Sequence, residues 1–341
     1  MNNVTDATAS PPPERMTQIE TLFYIINGSL GASFNAIVLF IALKYADTYD
    51  KPRQIAVINM TLADLLTCLV YMITRPYLEY CPVGLCFPYY VTIFTSQLCS
   101  CLNLLWLNLD KLIYIMFPLH YYTMVSRKRV LLLSFLSWGF ILGLALLLYS
   151  FMVVKDNCSQ VVVPPQVYSV ICIIYITIIL MSFAISAVIY LIARNSRRTE
   201  PQAGSKMFKR LFFVFSSTIW TCITCLPYRL LYLMFLSCPW VHRGLAMTIL
   251  YKSINIFFPI VVVGIMFNPI ITIMTQRMYR ECLLQYLHII GRLFEPCGII
   301  VCNFEDTKTR RRSRPSIATQ RSSAVSRHEL PECNHLNEAD V

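Results

Sequence analysis

Charged residues are scarce in this chain of 341 residues, where they make up 14% of the sequence. A soluble globular protein uses about 25% charged residues to cover its surface, so part of this protein's surface must face lipid. Glycine is also scarce, at 10 residues, which excludes a collagen-like chain. A hydrophobic fraction of 56% and a mean hydropathy of +0.57 exclude disorder along most of the chain.

Signatures of catalysis and of metal binding are lacking as well. The 5 His include no His-x-x-His pair and no HExxH motif, and no glycine-rich phosphate loop occurs. The 14 Cys are scattered: they contain no pair of Cys-x-x-Cys motifs, as a zinc site would need, and lack the density of a small disulfide scaffold. We therefore expect that the protein is not an enzyme and needs no cofactor.

Long apolar segments, by contrast, are abundant, and they predict an all-α membrane protein built as a seven-transmembrane helix bundle. A helix needs about 20 mainly apolar residues to cross a ~30 Å hydrocarbon core. The alternating segments of about ten residues that mark a membrane β-barrel do not occur. The predicted spans are Thr21–Tyr45, Gln54–Leu78, Cys86–Phe117, Lys128–Val153, Val163–Arg194, Lys206–Ser237 and Gly244–Thr275.

The positive charges predict the orientation of the bundle, because cytoplasmic loops accumulate Lys and Arg. With the N-terminus outside and the C-terminus inside, most of the 29 Lys and Arg fall on the inner side. The net charge of +11 is then explained by topology, and no nucleic-acid partner is needed. The exceptions, which lie towards the outside, are Arg15, Arg75, Lys155, Arg229, Arg243 and Lys252.

This topology divides the chain into four parts. Residues 1–20 form an extracellular segment, which lacks the apolar core of a secretory signal, and residues 21–275 form the transmembrane domain. Residues 276–290 carry apolar and basic residues at helical spacing, which predicts a short amphipathic eighth helix in the membrane interface. Residues 291–341 lose the apolar character and are expected to be a disordered cytoplasmic tail.

Covalent modifications are expected on both sides of the membrane. Asn3 and Asn157 stand in glycosylation sequons on the outer side. Cys297 and Cys302 are expected palmitoylation sites in the tail, and free cytosolic thiols are the alternative. Serines and threonines of the tail follow a basic cluster, and their phosphorylation would create a docking patch for arrestin. A solvated tail with chance serines is the alternative there.

Polar residues inside lipid are costly and therefore mark functional positions. In chain order such positions and their flanking motifs are Asn35, Asp64, Cys86, Asp110-Lys111-Leu112, Trp138, Cys225-Leu226-Pro227 and Asn268-Pro269. Each motif alone is weak, whereas the ordered set is specific. The set resembles the rhodopsin-like (class A) G-protein-coupled receptor family over roughly residues 22–290.

The resemblance implies a disulfide between Cys86, at the outer end of helix three, and Cys158 in the second extracellular loop. An outward-facing pair sits in an oxidising compartment, where such a bond persists. Cys81 is a rival partner, because sequence alone does not fix connectivity.

The resemblance also implies an allosteric sodium ion at Asp64, with Ser100 and Asn268 as partners. Gly264 and Ile265 stand where the family often has further polar ligands. A weakened sodium site and a protonated Asp64 are both compatible with the sequence.

Several switch residues depart from the family pattern. Lys111 replaces the Arg that follows Asp110, and Lys lacks the planar five-donor fork of Arg. Cys225 replaces the Trp that usually stands two residues before Pro227. Thr272, which follows Asn268 and Pro269, replaces the Tyr that would bridge to Tyr190 in helix five. These changes indicate weak, atypical or constitutive coupling to the G protein, or signalling without it.

The outer cavity is expected to bind an anion. Ile93 occupies the position of the Asp that pairs with amine ligands, so a small-amine ligand is disfavoured. Arg is the natural bidentate partner of a carboxylate, which points to a peptide C-terminus or an acidic lipid. Arg75 and Lys252 could instead snorkel to the interface, with Glu79 neutralising Arg75. The predicted ligand-binding residues are Arg75, Ile93, Gln97, Tyr228, Arg229, Tyr232, Lys252 and Asn255.

The sequence thus predicts a plasma-membrane receptor that binds an extracellular ligand and signals through a heterotrimeric G protein and arrestin. A seven-helix ion-coupled transporter is the alternative from another class, since a mid-membrane Asp suits an ion pathway. No internal repeat of the kind found in transporters is visible, however. A pseudo-receptor that serves as a partner for another receptor is the third interpretation.

Overall fold

The computed structural model describes residues 16–46, 48, 51–154, 158, 161–199, 201–237 and 245–294. Seven of the helices in these residues are long and apolar enough to cross a membrane, which confirms the predicted seven-helix bundle. In chain order they are α1 (Gln18–Tyr45), α2 (Gln54–Leu66, which reaches membrane length with its continuation to Met72), α3 (Val83–Met116), α4 (Arg127–Tyr149), α5 (Pro165–Thr199), α6 (Pro201–Ser237) and α7 (Leu245–Thr275). A further helix, α8 (Arg277–Phe294), follows α7 directly.

Some helices extend beyond the predicted spans. The first begins at Gln18 rather than Thr21, because Thr17 and Glu20 form a capping box in which each side chain accepts from the other residue's backbone N–H. The sixth begins at Pro201 rather than Lys206, and the eighth helix ends at Phe294 rather than at residue 290. Polar residues such as Gln, Lys and Arg are good helix formers, so hydrogen bonding continues past the apolar segment.

The second span is shorter than predicted and does not run to Leu78 as one helix. The α-helical part continues as a π-helical segment, Thr67–Met72, and a separate 3₁₀ helix covers Arg75–Tyr80. Pro76 lies near the start of this second element, where its missing N–H costs nothing, whereas inside a continuing helix it would remove a hydrogen bond. The break turns Arg75 towards the bundle.

Small elements join the spans at both ends of the bundle. A hairpin of two short antiparallel strands, β1 (Val153–Val154) and β2 (Val161–Val162), follows α4. A single helical turn, Tyr121–Met124, lies between α3 and α4 at the opposite end. We call the end of the bundle that carries the hairpin the disulfide end, and the end that carries the helical turn the Asp110 end.

The packed interior lies between α1, α2, α3, α5, α6 and α7, and α4 stands at the edge. The contacts of α4 within the bundle are made mainly with α3, through Ile141, Ala145 and Leu148. Its other face is apolar and exposed, with Phe135 at 76% exposure. Such a face is stable only against lipid, as a membrane protein requires.

The chain divides into two units at Arg280, so the residues from Glu281 onward are described by themselves. In that unit α8 exposes Leu284 and Leu287, which lie three residues apart on one helix face. The expected modification sites Asn3, Asn157, Cys297 and Cys302 lie outside the described residues, as does almost all of the predicted tail.

Candidate functional site

The disulfide end is closed by a covalent link between α3 and the hairpin segment. Cys86 and Cys158 form a disulfide across a sequence separation of 72 residues, and the rival Cys81 keeps a free thiol. The Tyr90 hydroxyl donates to the carbonyl of Cys158 over 3.1 Å. Both links hold the segment over the mouth of the bundle, in the arrangement expected for the roof of a ligand cavity.

Below this roof a cavity runs between α2, α3, α5, α6 and α7. The space for the centres of water-sized molecules is about 40 Å³, enough for a few waters or one small group such as a carboxylate. Gln97 and Arg229 line one part of it, and Asp64 and Asn268 line another. One continuous cavity therefore carries both a cation and a carboxylate on its walls.

Arg229 of α6 provides the cationic part of the cavity. Its guanidinium donates to the side-chain oxygen of Gln97 on α3 over 3.2 Å, and its central carbon lies 4.1 Å from the ring centre of Tyr175. Its other neighbours among the described residues include Tyr228, whose ring centre lies 5.5 Å away, and Cys172, which shares a side-chain hydrogen bond with it. These neighbours are neutral, so none of them supplies a negative charge to balance the guanidinium.

An aromatic row continues from Arg229 towards α1 and α2. The rings of Tyr232 and Tyr228 lie 5.8 Å apart, and Tyr228 lies 5.4 Å from Phe258. Arg75 stands beyond this row, with its guanidinium carbon 5.5 Å from the Phe258 ring centre. Arg75 therefore reaches the bundle interior and does not merely snorkel outward.

The remaining predicted ligand residues are divided between the interior and the surface. Ile93 packs against the buried cluster that contains Tyr24 and Val262. Lys252 and Asn255 of α7 are exposed and do not line the cavity, so the structure does not bring them to the other predicted residues. The sequence placed them near the mouth by depth along the helix, but their helical phase turns them away.

Asp64 is 2% exposed and forms the acidic part of the cavity. The amide nitrogen of Asn268 donates to its carboxylate over 3.1 Å, and the Ser100 hydroxyl is a further hydrogen-bond partner. The predicted trio thus lies together. The walls nearby also carry hydroxyls that the sequence did not single out, on Ser217, Thr221 and Thr224.

This group fits a sodium ion incompletely. Asn268 turns its NH₂ group towards Asp64, and the carbonyl oxygen of Gly264 accepts from the Trp220 indole over 3.0 Å. Asp64 and Ser100 remain as the evident oxygen donors. In the part of the chain that the structure covers, no cluster of three His, Cys, Asp or Glu could hold a metal. A sodium ion at Asp64 stays a prediction.

A second polar contact between α3 and α6 was missed at the sequence level. Asn108 is 0% exposed, and its amide nitrogen lies 2.7 Å from the Ser182 hydroxyl of α5 and 3.0 Å from the Thr218 hydroxyl of α6. The amide oxygen is buried without a hydrogen-bond partner in the described residues. An Asn inside an apolar span was the available signal, but its partners depend on helix rotation.

At the Asp110 end, Asp110 accepts a hydrogen bond of 2.7 Å from the Tyr121 hydroxyl. Burial, and next the negative charge of Asp110, raise the pKa of the Tyr121 phenol, so this donor keeps its proton. Lys111 is 8% exposed, and its ammonium lies 5.8 Å from the Tyr114 ring centre. The predicted switch pair is therefore tied into the bundle, not free in solvent.

The other predicted switch residues lie along α5, α6 and α7. Tyr190 packs edge-on against Phe215, 5.9 Å between ring centres. The Thr272 hydroxyl donates to the backbone carbonyl of Asn268 within its own helix, which is the usual role of a mid-helix Thr. Cys225 lines the cavity, and Pro227 and Pro269 lie inside α6 and α7.

Comparison with known proteins identifies a related receptor. The chain is 51% identical over 298 residues to the G-protein coupled receptor aex-2 of Caenorhabditis elegans. The match covers 86% of this chain and 91% of that protein. No protein-family model matches the sequence. An identity of this size over nearly the whole length leaves little room for a different fold or class of protein.

Proposed function

This chain belongs to the G-protein-coupled receptors, and on that premise we propose that it is a rhodopsin-like member that binds an extracellular ligand with an anionic group. The disulfide end faces outward in this proposal and the Asp110 end faces the cytoplasm, at the plasma membrane. The ligand signals through a heterotrimeric G protein, with atypical or weak coupling, and arrestin is a further partner. The observation that carries the proposal is the guanidinium of Arg229 inside the cavity.

A guanidinium that is mostly buried needs compensation, because removing a charge from water costs several kcal/mol. Among the described residues Arg229 makes hydrogen bonds to the neutral side chains of Gln97 and Cys172, and it lies over the face of the Tyr175 ring. These contacts support the cation but leave its charge uncompensated. A carboxylate would form a bidentate pair with it. The small free space beside Arg229 suits the acidic end of a ligand, such as a peptide C-terminus or the head of an acidic lipid.

Two hydrogen-bonded links between α3 and α6 give this ligand a route to the G protein. The Gln97–Arg229 link lies nearer the disulfide end, and the Asn108–Thr218 link lies about three helical turns closer to the Asp110 end on both helices. Residues three turns apart share one helix face. A carboxylate that engages Arg229 competes with Gln97 and so weakens the first link.

The second link then responds because both links hold the same pair of helices. The amide oxygen of Asn108 has no hydrogen-bond partner among the described residues, and a partly satisfied buried polar group stabilises the closed arrangement only weakly. In the proposed mechanism α6 moves away from α3 at the Asp110 end and exposes Lys111 to the G protein. Lys places a positive charge there but cannot stack as Arg does, which accounts for weak coupling.

A ligand screen in cells that reads calcium, cAMP and arrestin recruitment together tests the proposal. Fractions of peptide and lipid extracts are applied to the wild-type receptor and to Arg229→Gln and Arg229→Lys variants at matched surface level. We expect an acidic fraction to activate the wild type, Arg229→Lys to keep part of the response, and Arg229→Gln to lose at least about tenfold in potency. Activation by a neutral or cationic ligand that ignores Arg229 would refute the anionic site.

A further inference from the structure

The row of rings that begins at Arg229 ends at a second cation, Arg75. This residue opens the 3₁₀ helix Arg75–Tyr80 and is mostly buried. Its guanidinium carbon lies 5.4 Å from the ring centres of Tyr24 and Tyr71 and 5.5 Å from that of Phe258. Three rings from α1, the second span and α7 thus surround one positive charge.

The rings do not satisfy all of this guanidinium. The Nε–H of Arg75 is buried and has no hydrogen-bond acceptor among the described residues. Glu79 stands on the same 3₁₀ helix, whereas the side chain that hydrogen-bonds to Arg75 is that of Tyr24. A buried donor without an acceptor is unfavourable, and an arriving anion would remove that penalty.

Two aromatic rings, those of Phe258 and Tyr228, lie between the two cations. Arg75 lies over Phe258, Phe258 packs against Tyr228 at 5.4 Å, and Arg229 lies 5.5 Å from the Tyr228 ring centre. Each step is a direct contact, so an apolar surface connects one guanidinium to the other. A ligand complementary to this surface is acidic at both ends and apolar between them.

We propose that the ligand carries two carboxylates on an apolar linker, one bound by Arg229 and the other by Arg75, with the linker on the Phe258–Tyr228 pair. This inference rests on the proposed anionic site at Arg229 and adds a second anchor. A peptide with an acidic side chain and a free C-terminus has this chemistry, and so does an oxidised fatty acid. A purely structural Arg75, held by its three rings, is the rival account.

The test uses the purified full-length receptor and its thermal stabilisation by two series of probes. The first series compares saturated α,ω-dicarboxylic acids, from hexanedioate to tetradecanedioate, with monocarboxylic acids of equal length. The second compares short peptides that have an N-terminal Glu, an apolar middle and either a free or an amidated C-terminus. In the wild type we expect the two-carboxylate member of at least one series to bind about tenfold more tightly, with an optimum linker length. The series with the tighter binding identifies the source of the ligand.

Substitutions then separate the two anchors. Arg75→Gln should reduce the affinity of the dicarboxylate about tenfold to that of the monocarboxylate, while Arg75→Lys restores part of it. Arg229→Gln should weaken both probes, and Lys51→Gln, which removes an exposed charge at the Asp110 end, should change neither. If the wild type shows no preference for two carboxylates at any length, the second anchor is wrong even if variant folding obscures the substitutions. Monocarboxylate binding that still requires Arg229 would leave the proposed function intact in that case, whereas absence of binding by every acid overturns both.

Discussion

Gln97 and Arg229 join α3 to α6 by a 3.2 Å hydrogen bond, and Asn108 and Thr218 repeat the connection about three turns further along both helices. The helices run in opposite directions, so equal spacing on both keeps the two links in register. In the proposed mechanism this geometry couples the cavity beneath the disulfide to the Asp110 end.

The Gln97–Arg229 link should be measurable as a coupling energy. Gln97→Leu, Arg229→Gln and the double variant form a thermodynamic cycle on the stability of the purified receptor. Because Gln97→Leu leaves the guanidinium without its neutral acceptor, it should destabilise the wild type by about 1 kcal/mol more than it destabilises Arg229→Gln. The melting temperatures of the wild type, the two single variants and the double variant are measured in detergent. Strictly additive effects would show that the two residues do not interact.

Breaking the Asn108–Thr218 link should raise basal signalling several-fold. Asn108→Leu removes the amide that holds α6, while Ser182 and Thr218 can turn their hydroxyls to carbonyls of their own helices. Asn103→Leu is the matched control, because Asn103 is buried on the same helix and its amide donates to the Cys99 carbonyl of that helix. Second-messenger levels in cells at equal surface expression provide the readout. A rise in the control equal to that in Asn108→Leu would assign the effect to lost helix polarity instead.

The fold and part of the site could be predicted from the sequence, whereas the two α3–α6 links could not. Apolar length predicted the seven helices, because a membrane imposes that length on any span. Cys86 and Cys158, and likewise Asp64 and Asn268, lie together as the family resemblance implied. Asn108 and Thr218 were not singled out, since partners 110 residues apart depend on the rotation of two helices. Lys252 and Asn255 lie at the expected depth along α7, but the rotation of that helix turns them away from the cavity.

The contact between α6 and α7 should tolerate no extra methyl group at Gly264. A Cβ there would lie 2.8 Å from the Cβ of Thr224, and the carbonyl of Gly264 itself already accepts a hydrogen bond from the Trp220 indole. Overpacking of this kind costs about 1–3 kcal/mol, so Gly264→Ala should lower the melting temperature by several degrees.

Gly143→Ala provides the comparison for that substitution. A Cβ at Gly143 meets nothing within 4 Å, and Ala favours the helix by about 1 kcal/mol over Gly. This variant should be neutral or slightly stabilised. Equal melting temperatures for both variants would mean that the helices separate easily at Gly264.

Lys111 should make this receptor a weaker activator than a Lys111→Arg variant. The planar guanidinium offers five donors and a stacking face, whereas the ammonium is a compact, strongly hydrated charge. A difference of about 1.4 kcal/mol in the active complex corresponds to about tenfold in coupling, within the range of a charge-assisted hydrogen bond. Nucleotide exchange is compared with the wild type at matched surface level. Equal or lower exchange would identify Lys111 as a contact adapted to its own G protein.

Nucleotide exchange on purified G protein tests most directly whether the two α3–α6 links control G-protein activation. Wild-type receptor and the Gln97→Leu/Asn108→Leu double variant are reconstituted in lipid nanodiscs, and GTPγS binding is followed on each of the main Gα classes. The account predicts weak exchange by the wild type and several-fold faster exchange by the double variant on at least one Gα, since both links that hold α6 to α3 are then open. Exchange no faster than that of G protein alone, for every Gα and for both correctly folded proteins, would contradict the claim that these links control G-protein activation.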